Sequence, residues 1–200
     1  MHPNPSFRKT PTDQNLSFSR RRGFGVLAAN GAEGPTLAHV PFLLSKDGTF
    51  ADLHLARSNP LVGAAGPAVL AVSGRDAYVS PDWYGVPDQV PTWNYIAVHL
   101  RGTLAQMPPE ALEPHLHAIS EEFEARLQPK PMWRASKMTD GVMERMMRMI
   151  VPFRLRIDRV EGTWKLNQNK SPEARQGVVA ALSGIAREED EIAQAMRELG

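Results

Sequence analysis

The sequence predicts a mainly β domain with α additions, a small barrel with helices on its flanks. Upstream of Met107, about six short stretches alternate apolar and polar residues with turn signals between them, the pattern of a small barrel. Seventeen Pro and fifteen Gly supply those turns. Past Met107 the apolar period lengthens from two residues to three or four, which is helical spacing.

Met1 to Pro11 reads as an extended arm with Phe7 as its large anchor. Thr12 or Asp13 caps a helix that runs through Arg22 and stops at Gly23. Its last turn, Arg20-Arg21-Arg22, either touches phosphates or complements the helix dipole and stays solvated. Strands follow at Phe24 to Ala29, Thr36 to Leu44 and Thr49 to Leu55. In the second hairpin Ala38, Val40, Phe42 and Leu44 form one apolar row, with Ala51, Leu53 and Leu55 as its partner. His39 and His54 therefore share the opposite face. If Ser45 pairs with Gly48 the two histidines stand across from each other; if Lys46 pairs with Thr49, His54 faces Pro41. No third ligand occurs at a diagnostic spacing, so no metal site is assigned.

Arg57-Ser58-Asn59-Pro60 comes next, followed by a short helical piece, Leu61 to Gly66. A guanidinium, a hydroxyl, an amide and free N–H groups at a helix start are the parts of an anion site. The same residues also make an ordinary cap, Ser58 or Asn59 before a proline at the first helical position. Ala68 to Ser73 and Ala77 to Ser80 give further strand, and a loop from Pro81 to Pro87 leads to Val90-Pro91-Thr92-Trp93-Asn94-Tyr95. Pro91 biases the chain to enter extended. Ile96, Val98, Leu100 and Leu104 then fall on one face, and Tyr95, Ala97, His99, Arg101 and Thr103 on the other. Trp93, Asn94 and Tyr95 suit a flat, polar-edged ligand, or the two aromatics simply cover the barrel.

Leu112, Leu116, Ile119, Phe123 and Leu127 mark a helix packed by one face, its start blurred by Pro114. His115 and His117 are two apart, cannot share a helical face, and are expected in solvent. After a loop anchored by Trp133, Val142, Met143, Met146, Met147 and Ile150 mark a short helix whose Met row is expected in the core. Phe153, Leu155 and Ile157 alternate with Arg154, Arg156 and Asp158 in a last strand that runs toward Trp164 and Lys170. Ser171-Pro172-Glu173 starts a final helix, with a break at Gly184 and a weak stripe of Ile192, Met196 and Leu199.

The bulk numbers exclude several classes. With no Cys there is no disulfide framework, thiolate metal site or cysteine nucleophile, which fits a reducing compartment and makes the cytoplasm the expected address. No run approaches the ~20 apolar residues of a membrane span, so a soluble protein is expected. A net charge of +1 gives no broad field for a polyanion, and no helix-turn-helix pattern is present.

Five ordered stretches carry a family resemblance: His39-Val40-Pro41-Phe42-Leu43-Leu44, His54-Leu55-Ala56-Arg57-Ser58-Asn59-Pro60, Tyr78-Val79-Ser80-Pro81-Asp82-Trp83-Tyr84, Val90-Pro91-Thr92-Trp93-Asn94-Tyr95 and Trp164-Lys165-Leu166-Asn167-Gln168-Asn169. Together they resemble the PaiB-like family, whose members are known as FMN-binding negative transcriptional regulators. The likeness runs from about Met1 to Lys170. Residues 1–170 are thus expected to form the FMN-binding domain with its N-terminal arm and helical insertion, and residues 171–200 a C-terminal helical extension.

The resemblance implies an FMN-binding split β-barrel flanked by helices, related to pyridoxamine-phosphate oxidases and flavin reductases, with FMN at a homodimer interface. By the same resemblance, His54, Arg57 and Ser58 hold the phosphate, and the strand with His39 and Pro41 lies along the flavin. Trp93, Asn94 and Tyr95 line the flavin or the dimer seam, and Trp164, Lys165 and Gln168 reach in from the C-terminal side. One departure stands out: the loop between Tyr84 and Val90 is short and holds no Lys, where many relatives carry a longer, Lys-containing loop.

Two functions follow from this. One is a regulatory flavoprotein, with DNA contact implied by the family name but supported by no motif in the chain. The other is a flavin-dependent oxidase or reductase acting on a small molecule, in which His39, His54 or His99 could move a proton. A pocket used for another phosphorylated ring is a third outcome the fold allows.

Overall fold

In the computed structural model, which describes residues 1–183 and 194–198, six strands close into a barrel. They are β1 (Phe24–Gly31), β2 (Gly34–Leu44), β3 (Phe50–Ala56), β4 (Gly66–Val79), β5 (Thr92–Gln106) and β6 (Ile150–Lys165), in the spatial order β1-β2-β3-β6-β5-β4. The pairs β1–β2, β1–β4, β2–β3 and β3–β6 are antiparallel. The helices α1 (Thr12–Arg22), α2 (Leu112–Glu124), α3 (Val142–Met147) and α4 (Pro172–Leu182) accompany them. Gly184, Ile192 and Leu199, named for the C-terminal stripe and its break, lie outside the described residues. Among the described residues no helix is long and apolar enough to cross a membrane.

The chain groups into two compact units, through both of which β4, β5 and β6 run. One comprises Leu16–Val72 and His99–Val160. Its core is the predicted apolar row: Phe42 pairs with Leu53 and Leu44 with Ala51, and all four are at most 5% exposed. Ser45 N donates to Phe50 O, so the register is the second of the two sequence alternatives and brings His54 opposite Pro41. Phe153 and Leu155 extend the same core from β6.

Two glycines are required by contact within this unit. A Cβ on Gly102 would lie 1.7 Å from the Arg156 carbonyl oxygen, so β5 can approach β6 there only without a side chain. Gly23 ends α1 at φ +58°, where a Cβ would also meet the Phe123 ring at 2.4 Å. The arginines of that last turn are not all free in solvent. Arg20 Nη2 donates to Ser45 O at 2.8 Å, while Arg126 donates to the carbonyls of Arg20 and Arg21 and closes the helix end.

The other unit comprises Met1–Asn15, Ser73–Val98 and the described part of Glu161–Gly200. Phe7 is buried as the anchor of the arm, and Trp164 Nε1 donates to Asn15 Oδ1 at 2.8 Å. α4 begins as predicted, with Ser171 Oγ accepting from Ala174 N and Pro172 in the first turn, and packs on the 3-10 turn Pro81–Tyr84.

Several expectations are corrected. The segments Ala68 to Ser73 and Ala77 to Ser80 are one strand, because the ladder uses backbone groups that Gly74-Arg75-Asp76 still supply. The helical piece after Asn59 is a 3-10 turn, Pro60–Gly63. The Met row is not core: α3 has no buried residue, and Met146 is 52% exposed. A six-residue helix is too short to turn one stripe fully inward.

Candidate functional site

In the unit that holds β2 and β3, the predicted residues lie on the outer face of the hairpin. His39 is exposed and its ring stacks at 6.4 Å on Phe24. Pro41 and His54 line a cavity of about 300 Å³ that Ile119, Phe123 and Trp133 complete. His54 Nδ1 sits 3.1 Å from His115 Nε2. His115 is therefore not in solvent but 6% exposed, a correction to the sequence expectation. The signal was present, since Leu112 and Ile119 stand three and four residues either side of it and both are buried.

Burial lowers both imidazole pKa values, that of His115 to about 4, where the neighbouring His54 adds to the effect and Asp52 opposes it. The pair is neutral at pH 7.

Arg57 and Ser58 are exposed at the end of β3. Arg57 Nε donates to Arg148 O at 3.0 Å and Nη2 to Ile150 O at 3.4 Å, which fixes the guanidinium and leaves its other N–H groups open. The cap is made by Asn59, whose Oδ1 accepts from Leu61 N at 2.9 Å. Of the two sequence alternatives the cap is observed, made by Asn59, and it leaves Arg57 and Ser58 exposed beside it.

In the other unit Trp93 is 55% exposed and meets Tyr78 edge-on at 6.1 Å, with Val90 exposed beside it in sequence and Tyr95 half-buried. Asn94 shares the parity of Ile96 and Val98 and is fully buried; its Nδ2 donates to Met196 Sδ at 3.6 Å, and its Oδ1 has no partner among the described residues. Lys165 Nζ donates to Thr92 Oγ1 and lies 6.0 Å from the Phe7 ring, with its pKa lowered by burial.

Trp164 is a core residue, and Gln168 folds back on its own turn. Gln168 accepts from Leu166 N and donates to Trp164 O around Asn167, whose φ is +60°. Sequence reasoning missed Lys170. Its Nζ donates to Gln89 Oε1 and stands 4.8 Å from the Tyr84 ring, placing an ammonium at the loop that lacks its own.

An anchored guanidinium with open donors and an adjacent hydroxyl are groups that can hold an anion such as a phosphate. Residues 1–159 match the family described as "Putative FMN-binding domain". The chain belongs to this family. FMN is accordingly its cofactor.

Among relatives, the protein called protease synthase and sporulation protein PAI 2 of Bacillus subtilis is 27% identical over 198 residues, 96% of this chain and 93% of its own. An uncharacterized protein of Aspergillus fumigatus is 24% identical over 86% of each chain. The FAD and heme binding protein from Mycobacterium smegmatis superposes with a TM-score of 0.58 at 15% identity, covering 87% of this chain and 80% of that one. The flavocytochrome Anf3 from Azotobacter vinelandii gives 0.59 at 13% identity, covering 82% and 72%. These structures establish the fold as the split barrel. For a member of an FMN-binding family the residues present fit the cofactor, with Arg57 and Ser58 as the donors suited to its phosphate.

Proposed function

We propose that the chain is a regulatory flavoprotein of the PAI 2 type, in which FMN lies at a homodimer interface and its binding or redox state lowers transcription of target genes. The likeness to PAI 2 over 96% of the chain supports the regulatory part. The observation that carries the cofactor placement is the Arg57 guanidinium, held by two backbone carbonyls and open toward solvent beside Ser58.

FMN supplies a redox-active ring and a phosphate dianion. Arg57 binds the phosphate by charge-assisted hydrogen bonds and Ser58 by its hydroxyl. His54 is neutral and contributes a hydrogen bond at most, so the charge comes from Arg57. His39 and Pro41 lie along the flavin. Trp93 and Tyr95 offer the aromatic surface of the protomer seam, with Lys165 beside them on Thr92. Trp164 and Gln168 support that end of β6 from within. DNA contact is no part of the proposal, because the charge is nearly balanced and no groove-reading motif is present.

The visible absorption spectrum after FMN is added and the excess removed tests this reading, together with light scattering. About one flavin per chain on a dimer is expected, since an isologous interface presents two equivalent sites. A colourless protein, or a flavin-loaded monomer, overturns it. Bleaching by NAD(P)H turns the conclusion toward a reductase.

A further inference from the structure

The cavity of about 300 Å³ lined by Pro41 and His54 has an aromatic wall that the cofactor reading does not use. Trp133 is 38% exposed, and its backbone fixes its place: Trp133 N donates to Glu124 Oε2 at 2.7 Å, an oxygen that Lys130 Nζ also holds. A second cavity of about 340 Å³, lined by His117, Met132 and Arg134, shares Ser120 and Trp133 with the first. The indole is thus a partition between two spaces rather than a packed core side chain. Beside Phe123 and Ile119 it offers a surface on which a ring can stack. All of these residues belong to the unit that holds β2, β3 and α2.

His54 is a polar group of this cavity, and its neighbour on α2 settles which proton it carries. Of the two facing nitrogens, His54 Nδ1 and His115 Nε2, one donates to the other. If His54 donated, both rings would carry their proton on Nδ1, and that of His115 is buried without a partner among the described residues. A buried N–H left unpaired costs its full desolvation. If His115 donates, both rings take the Nε2–H form, the commoner tautomer of neutral histidine, and His115 Nδ1 keeps only a lone pair. The second arrangement leaves His54 with an N–H on Nε2, which bonds to no described residue. Among the described residues no cationic side chain lines the cavity, while the Glu124 carboxylate does, so the acceptor that suits His54 is a neutral one.

We propose that this cavity binds a flat, neutral aromatic carbonyl compound, its ring against Trp133 and its oxygen accepting from His54 Nε2, with His115 as the positioning residue that holds the imidazole as a donor. The site goes beyond the FMN reading and does not depend on it. Its volume suits a ligand of one or two rings.

The test titrates the full-length chain, first without flavin, with benzamide and with cyclohexanecarboxamide, which has the carbonyl but no flat ring. Benzamide is expected to quench indole fluorescence and to bind about three- to tenfold more tightly, the worth of an aromatic contact, and Trp133→Leu to abolish that preference. His115→Leu is expected to weaken benzamide by about three- to tenfold, the worth of one hydrogen bond. His115→Gln, whose amide can donate to His54 Nδ1, is expected to restore most of it. Nitrogen NMR of the wild type is expected to show the His54 proton on Nε2 before ligand is added, and that nitrogen is expected to shift on addition.

A His54 proton on Nδ1, no preference for benzamide, or equal benzamide affinity in wild type and a natively folded His115→Leu overturns the proposal. So does displacement of benzamide by FMN, because the cavity would then be the flavin's own. Benzamide bound with the stated preference by a chain that retains no FMN upholds the site and overturns the FMN reading.

Discussion

Two imidazoles 3.1 Å apart cannot both be charged, and here neither is. The folded His115 pKa lies near 4 against an ordinary 6.5, so as pH falls the unfolded chain takes the proton first. Stability is full above about pH 6.5, declines on the way down to about pH 4, and then levels, a loss of about 3 kcal/mol for a shift of this size. Urea titrations across that range are expected to show the decline in wild type and a shallower one in His115→Leu; an unchanged acid limb in the variant refutes the assignment. At the same scale, Arg57→Ala is expected to weaken FMN binding by about 10- to 100-fold, the worth of a charge-assisted phosphate contact, while His54→Ala costs less. Isothermal titration checks this, with Arg57→Lys as the variant that keeps the charge and loses the fork. The cap beside Arg57 was legible in the sequence because Pro60 marks the start of the turn it precedes. His115 was not, because comparing it with His117 hid its true neighbours on α2, Leu112 and Ile119.

At the scale of elements, strict period-two rows were read correctly: every residue of the row Ala38, Val40, Phe42, Leu44 is buried, and so is each of its partners on β3. The Met row of α3 was misread because methionine suits exposed and buried surfaces alike and six residues cannot enforce a stripe. Gly102 shows what a pattern cannot reveal, a position fixed by a neighbouring backbone. Gly102→Ala forces β5 from β6 and is expected to lower stability by about 2–4 kcal/mol, the range of severe steric substitutions. Thermal denaturation checks this; a melting temperature equal to wild type would show that the strands can part without loss.

For the whole molecule, the strand order was the least legible feature. β6 lies between β3 and β5, so Asp52 meets Arg154 across 102 residues of sequence at 2.6 and 2.8 Å, a pairing no local pattern encodes. The proposed dimer would likewise be a property of surfaces. If the exposed Trp93 lies in the seam, Trp93→Glu is expected to give a monomer in light scattering with an unchanged circular dichroism spectrum; a persistent dimer would place the seam elsewhere. Lys170 carries a last consequence. Its ammonium reaches Gln89 from 81 residues away, so a positive charge stands at the loop after Tyr84 although that loop holds no lysine of its own. Lys170→Ala is therefore expected to leave residues 84–90 without an ammonium, and a lysine returned within that loop is expected to restore it.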